Sequence, residues 1–286
     1  MKPCLALFAA ALLLTSCAQD HGIVVASKNF TEQLVLGEIA AQQIERKLHI
    51  KVERKLNLGG TLLAHEAMLH GDIDIYPEYT GTGASAVLRV AAPRDPAQAY
   101  ILVKDAYLKR FGIVWLPPLG FNNTFAMVVR ASDAGKLLKP ALSAAVARPW
   151  RLGVGYEFIT RQDGLAALDK AYGLKWQGTP RSMDLGLLYQ ALQQNSVDMA
   201  AGSSTDAQLT DPRYVALADD KHAFPAYNAC FLVRNEVLQK YAGVGDALSM
   251  LENHISDDTM RQLNRRVEAE HQAVEKVARD FLATQP

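Results

Sequence analysis

Neither sign of charge is in excess in this sequence. Among its 286 residues, 30 Lys and Arg balance 30 Asp and Glu, so no whole-surface field draws nucleic acid or anionic lipid. Cysteine is scarce. Of three, Cys4 and Cys17 belong to an N-terminal apolar segment, which leaves Cys230 without an internal disulfide partner; within its apolar run it reads as a small core residue rather than a nucleophile. The seven histidines show no metal-ligand spacing, so neither a metal nor a cofactor is expected. There is no phosphate-binding glycine fingerprint, and no nucleophile–base pattern stands beside Asp72, Asp74 and Glu78. Those carboxylates are expected to be solvated or structural, and the chain is not expected to be an enzyme. After the N-terminal segment, no apolar run reaches membrane-spanning length.

That segment has a clear pattern. Lys2 precedes an apolar run from Leu5 to Leu14, the charged start and short hydrophobic core of an export signal. Leu14-Thr15-Ser16-Cys17 resembles a bacterial lipobox, which implies a signal peptide over 1–17 and a periplasmic or cell-surface protein lipid-anchored at Cys17. The alternative is a soluble secreted protein cut nearby. The remaining composition, 49% hydrophobic and 21% charged, is that of a globular chain long enough for one large or two medium domains.

Along the chain the hydrophobic period alternates between strand and helix. Ile23 to Ala26 reads as a buried strand, and Ser27 to Gln33 as a turn into a helix that Asn29 caps with Glu32 answering three residues later. Lys51 to Lys55 is a second strand, and Asn57 to Thr61 is a glycine turn before a short helix, Leu62 to His70. Then comes Gly71 to Gly83. There Ile73 and Ile75 alternate with Asp72 and Asp74, and Pro77, Gly81 and Gly83 are expected to end the strand in a loop. That loop carries Tyr76, Tyr79, Thr80 and Thr82, and it reads as the floor of a ligand pocket. The order βαβαβ implies a mostly parallel sheet whose strand C-termini, with Lys28 among them, face a ligand.

Pro93 and Pro96 open another helix that ends near Gly112. Asn123 to Arg130 and Asn228 to Arg234 are two similar apolar strands, read as crossings. Between them lies a second α/β series, with a helix expected over about Asp133 to Ala147 and others over about Gln162 to Tyr172 and Leu185 to Gln194. Helical patterns fill most of Glu236 to Leu282. The expected molecule is α/β and two-lobed, with residues 18–123 and 226–286 in lobe 1 and 124–225 in lobe 2. The crossing strands form its hinge, and the ligand sits in the cleft.

Ser27-Lys28-Asn29-Phe30-Thr31-Glu32-Gln33, Asn57-Leu58-Gly59-Gly60-Thr61 and Ile75-Tyr76-Pro77-Glu78-Tyr79-Thr80-Gly81-Thr82 together resemble the substrate-binding proteins of ABC importers for glycine betaine, choline and carnitine. Phe121-Asn122-Asn123-Thr124, Arg161-Gln162-Asp163-Gly164, Ser204-Thr205-Asp206 and Pro225-Ala226-Tyr227-Asn228 follow in the family's order. The resemblance implies the type II periplasmic-binding fold and a cage of rings around a quaternary ammonium, a cation with no N–H to donate. By position, Tyr79 and Tyr227 match cage residues, while Lys28, Thr82 and Arg161 match donors to a ligand carboxylate.

Two positions depart from the pattern. Phe125 and Ser203 stand where the family has tyrosine, so the pocket is expected to be wider or weaker beside them unless Tyr156 or Phe158 fills in. A bulkier trimethylated amino acid such as ergothioneine is the alternative ligand, and an exported enzyme using the same cleft is the alternative of another class. The implied partners are ABC permease transmembrane subunits and, through the lipid, a membrane. Nucleic acid is not expected, and the protein is expected to be a monomer.

Overall fold

A computed structural model describes residues 22–285; the expected signal peptide, with Cys17, lies outside the described residues. β1 (Ile23–Ala26) is buried along its whole length. It is followed by α1 (Thr31–Leu48), β2 (Val52–Lys55), α2 (Thr61–His70) and β3 (Ile75–Tyr79). β1 runs parallel to β2 and β3. The strand Ala229–Arg234 returns antiparallel between β3 and β4 (Ile113–Trp115). The first sheet therefore has the order β2, β1, β3, 229–234, β4. α1 buries Val35, Leu36, Ile39, Ala40 and Ile44 on one face and packs against the C-terminal helix Val274–Leu282. This is the stripe that a 3.6-residue period lays along a core-facing helix.

The second sheet has the order 214–217, β5 (Phe125–Arg130), 199–203, 152–154, 181–182. Met199–Ser203 pairs antiparallel with β5 and parallel with Leu152–Val154. Two mixed five-stranded sheets thus make two α/β lobes. β5 lies inside the second sheet and Ala229–Arg234 inside the first, so the crossings themselves are the segments just before each strand. These segments run side by side. Asn122 bridges Asn228, Asn123 N–H donates to Tyr227 O at 3.0 Å, and Tyr227 N–H donates to Asn122 Oδ1 at 2.7 Å.

Three local expectations are corrected. First, Asn29 does not cap α1. The capping position is Phe30, without a side-chain bond, and the Glu32 carboxylate that would answer in a capping box is turned into the protein instead. Second, Pro77 does not stop β3, which continues to Tyr79 before a helical turn at Thr80–Thr82. Proline lacks an N–H, but nothing needs one there. Opposite it, Phe231 O accepts from Leu116 N–H on the far side, and β1 meets β3 only at Ile75, so no ladder bond is lost. Third, the helix expected over about Asp133 to Ala147 is two single turns, Ala131–Ala134 and Leu142–Ala145. Pro140 supplies no N–H between them and keeps its predecessor out of the helical region.

Candidate ligand-binding cavity

The C-terminal ends of β1 and β3 and the start of α1 face lobe 2 across a cavity of about 680 Å³. All seven candidate residues, Lys28, Tyr79, Thr82, Phe125, Arg161, Ser203 and Tyr227, line it. Gly81 allows one close approach on the floor. A Cβ there would meet the Tyr227 ring at 2.6 Å, so only glycine lets the ring lie on the Tyr79–Thr82 turn.

The rings form two groups. Tyr79 stacks with Phe30 at 6.5 Å between centroids. Phe125 packs edge-on against Phe158 at 4.9 Å and against Phe224 and Tyr227 at 5.5 Å. Phe158 thus supports Phe125, whereas Tyr156 is 63% exposed at the cavity's edge. Ser203 lies directly opposite Phe125 in the ladder. Both ring groups already hold a cation from the protein. Lys28 Nζ is 4.8 Å from the Tyr79 centroid, and the Arg161 guanidinium carbon is 5.3 Å from that of Phe125, distances at which the ring quadrupole attracts positive charge.

Each of these cations is paired inside the fold. Lys28 donates to Glu78 at 2.6 Å and to Thr61 at 3.4 Å, so one of its three N–H bonds remains for a ligand. Burial pushes the Glu78 carboxyl up, against the pull of Lys28. Arg161 holds Asp163 with both prongs, at 2.9 and 2.7 Å. Burial pushes Asp163 up, yet Arg161, Ser85 and Tyr227 together keep it below its usual range. This ion pair is buried, with 9% of each side chain's surface exposed.

Asp163 also joins the lobes, since Ser85 of lobe 1 donates to it at 2.6 Å and Tyr227 at 2.7 Å. A second link runs from α2. Glu157 of lobe 2 accepts the Thr61 N–H at 2.8 Å and the Thr61 hydroxyl at 3.2 Å, an anion seated on the first turn of a helix.

The group that sequence reading assigned elsewhere is Glu32. It is 3% exposed and accepts four donors: Tyr79 hydroxyl at 2.6 Å and Asn123 Nδ2 at 2.6 Å on Oε1, and Thr205 hydroxyl at 2.5 Å and Asn264 Nδ2 at 3.2 Å on Oε2. Burial raises its carboxyl above the ordinary value despite these bonds. The available signal was helical period: Glu32 stands four residues before Leu36, on the buried face of α1.

Asp206, near Ser203, was also read only as part of a motif. It accepts from Ser203 N–H and the Tyr189 hydroxyl, both at 2.8 Å. Loss of water, with Glu268 and Glu32 nearby, carries its carboxyl from 3.8 up to about 7. A raised folded value favours the protonated form, so this group's contribution to stability is complete below about pH 4 and is lost as pH rises through 7. The melting temperature is therefore expected to fall from pH 5 to 8 by more in the natural protein than in Asp206→Asn. Equal slopes in thermal melts would exclude that role.

Residues 21–284 match the model of the substrate-binding domain of ABC-type glycine betaine transport systems. The chain is 35% identical to a glycine-betaine-binding protein of Pseudomonas aeruginosa, over 98% of this chain and 91% of that one. It is 34% identical to an ergothioneine transport permease/ergothioneine binding protein of Helicobacter pylori, over 95% of this chain, and spans about half (49%) of that relative's length. In structure it resembles a glycine betaine/carnitine/choline ABC transporter protein with a TM-score of 0.77 and 30% identity, covering 91% of this chain and 97% of that one. The resemblance read from the motifs is thus borne out, and with it a transport-binding rather than enzymatic family. With its two lobes, its cavity between them and a match spanning all but the last of the described residues, the chain belongs to the family of substrate-binding domains of ABC-type glycine betaine transport systems.

Proposed function

We infer that this protein is the extracytoplasmic solute-binding component of an ABC importer and that it closes its lobes on a quaternary-ammonium osmoprotectant. The observation that carries the reading is the arrangement of Tyr79, Phe125 and Tyr227 around one cavity, with Lys28 and Arg161 beside them. A trimethylammonium head would rest on the ring faces, each well-placed ring contributing roughly 0.5–2 kcal/mol. A ligand carboxylate would take the remaining donors of Lys28 and Arg161 and the Thr82 hydroxyl. Because the rings and donors come from both lobes, ligand favours the closed form by differential contact. Lobe boundaries at 123/124 and 225/226, lipid attachment at Cys17, a monomeric state and docking to permease subunits are part of the same reading.

Calorimetric titration with glycine betaine, choline, carnitine and ergothioneine is the test, and silence for all four would sink the ligand class. In the same assay, Tyr79→Ala is expected to weaken binding at least tenfold. Tyr79→Phe, which keeps the π face and loses only the bond to Glu32, is expected to weaken it far less. Equal losses in the two variants would remove Tyr79 from the cage.

A further inference from the structure

On the side of the cavity where a ligand carboxylate would meet Lys28 and Arg161, the protein already places a carboxylate of its own. Glu157 belongs to the short helix Tyr156–Thr160 of lobe 2 and lines the cavity with Lys28, Gly60, Thr61 and Arg161. Its bonds reach lobe 1. Oε1 accepts the Thr61 N–H at 2.8 Å, and Oε2 accepts the Thr61 hydroxyl at 3.2 Å. That hydroxyl in turn accepts from Lys28 Nζ at 3.4 Å, and Arg161 Nη1 donates to Oε2 at 3.5 Å. One hydroxyl therefore connects Glu157 to Lys28, and one long bond connects it to Arg161.

Both lobes are shaped for this contact. The capping position of α2 is Gly60, which has no side chain to offer, and the first turn of α2 has no acidic residue, so its leading N–H is satisfied from the opposite lobe. A Cβ on Gly60 would meet Glu157 Oε1 at 2.6 Å, so glycine is what lets the carboxylate reach the turn. Loss of water pushes the Glu157 carboxyl up, yet Lys28, Thr61 and Arg161 together hold it below its ordinary value, and it is charged at neutral pH. Charge on this side is then out of balance. Lys28 is matched by Glu78 and Arg161 by Asp163, while Glu157 shares Arg161 at the longer distance, so two cations face three carboxylates. A ligand carboxylate arriving here meets a like charge and donors that are partly engaged. A ligand hydroxyl meets no like charge, and it can donate to Glu157 itself.

We propose that Glu157 is a specificity-determining residue, a carboxylate built into lobe 2 that closes onto α2 and reduces what a ligand's own carboxylate contributes to binding. This role rests on the cage reading given under Proposed function. The cage fixes the quaternary ammonium, and Glu157 acts at the opposite end of the same molecule. Its bonds to Thr61 join the lobes whichever ligand fills the cage, so closure does not depend on a ligand carboxylate bridging them. What the ligand carries at that end is then selected by the charge of Glu157.

Glycine betaine and choline share the trimethylammonium head and differ at the other end, a carboxylate in one and a hydroxymethyl group in the other, so the ratio of their affinities isolates that end. Both are titrated calorimetrically into the full chain and into Glu157→Gln, the weaker ligand being read by competition against the tighter. The glutamine oxygen can still accept the Thr61 N–H, so the substitution removes the charge and keeps the cap. The Glu157 side chain is 44% exposed, and the exchange is not expected to disturb folding. The ratio is expected to shift toward glycine betaine by about fivefold or more. Asp184→Asn is the control for charge alone. Asp184 is an exposed carboxylate that lines the same cavity, and its neutralisation is expected to leave the ratio within about twofold. A smaller shift in Glu157→Gln, a shift toward choline, or an equal shift in Asp184→Asn overturns the role of Glu157 while the cage stands. If the natural protein binds neither ligand, it is the cage reading that fails, and the role of Glu157 falls with it.

Discussion

Glu32→Ala is expected to lower the free energy of unfolding by about 3–5 kcal/mol, the range in which the loss of a buried network falls. The carboxylate receives Tyr79, Asn123, Thr205 and Asn264, and alanine leaves all four donors facing an apolar void. A buried donor without a partner costs about 1–3 kcal/mol. The four partners share one acceptor group and relax together, so the sum is smaller than four full penalties. Glu32→Gln is the informative companion. Its amide oxygen keeps the acceptor for one pair of donors, and its nitrogen faces the other pair, where the Thr205 hydroxyl can turn to accept. A loss clearly below that of alanine is expected. Urea unfolding with an unchanged slope measures both, and a cost for alanine under 1 kcal/mol would show that the network contributes little. The same residues join α1 of lobe 1 to Thr205 of lobe 2 across the crossing segments, so this variant should also alter how readily the lobes move apart.

The second large effect is expected at Arg161. Its guanidinium and the Asp163 carboxylate each keep only 9% of their side-chain surface exposed. Arg161→Ala therefore leaves an anion buried beside Tyr227 and Ser85. Breaking a buried pair on one side costs about 3–5 kcal/mol, most of it the uncompensated charge rather than the attraction lost. The distinction can be measured. In Arg161→Met with Asp163→Asn, the asparagine oxygen still accepts from Ser85 or Tyr227 and no charge is stranded. The double variant should be less destabilised than Arg161→Ala, with a coupling of about 2 kcal/mol or more in a double-mutant cycle. Additive single effects would mean that the two residues act independently, contrary to their two short bonds.

Much of the first lobe was legible in the sequence, because most of its elements carry one clear period. β1 is a continuous apolar run, α1 keeps its apolar stripe, and the turn before α2 is marked by two glycines. The stretch after Asp133 misled because its apolar residues fit a helix while Pro140 cuts it. Pro77 misled in the opposite direction. Proline usually ends a strand, and whether its missing N–H matters depends on which side of β3 has a neighbour. Neighbours in a sheet are set by residues such as Phe231 and Leu116, far away in sequence.

Within the candidate site the same division holds. Residue types and order along the chain determined on their own the family, the two-lobed α/β fold and seven of the residues that line the cavity, since motif blocks and hydrophobic period are properties of short segments. Only the tertiary structure decided what each of those residues is bonded to. Lys28 is held by Glu78, Arg161 by Asp163, and Glu32 faces four donors drawn from positions 79, 123, 205 and 264. Charge pairing and burial act through distance in space. A carboxylate that looks like part of a helix cap from its neighbours along the chain is, in space, a buried acceptor shared by four distant donors.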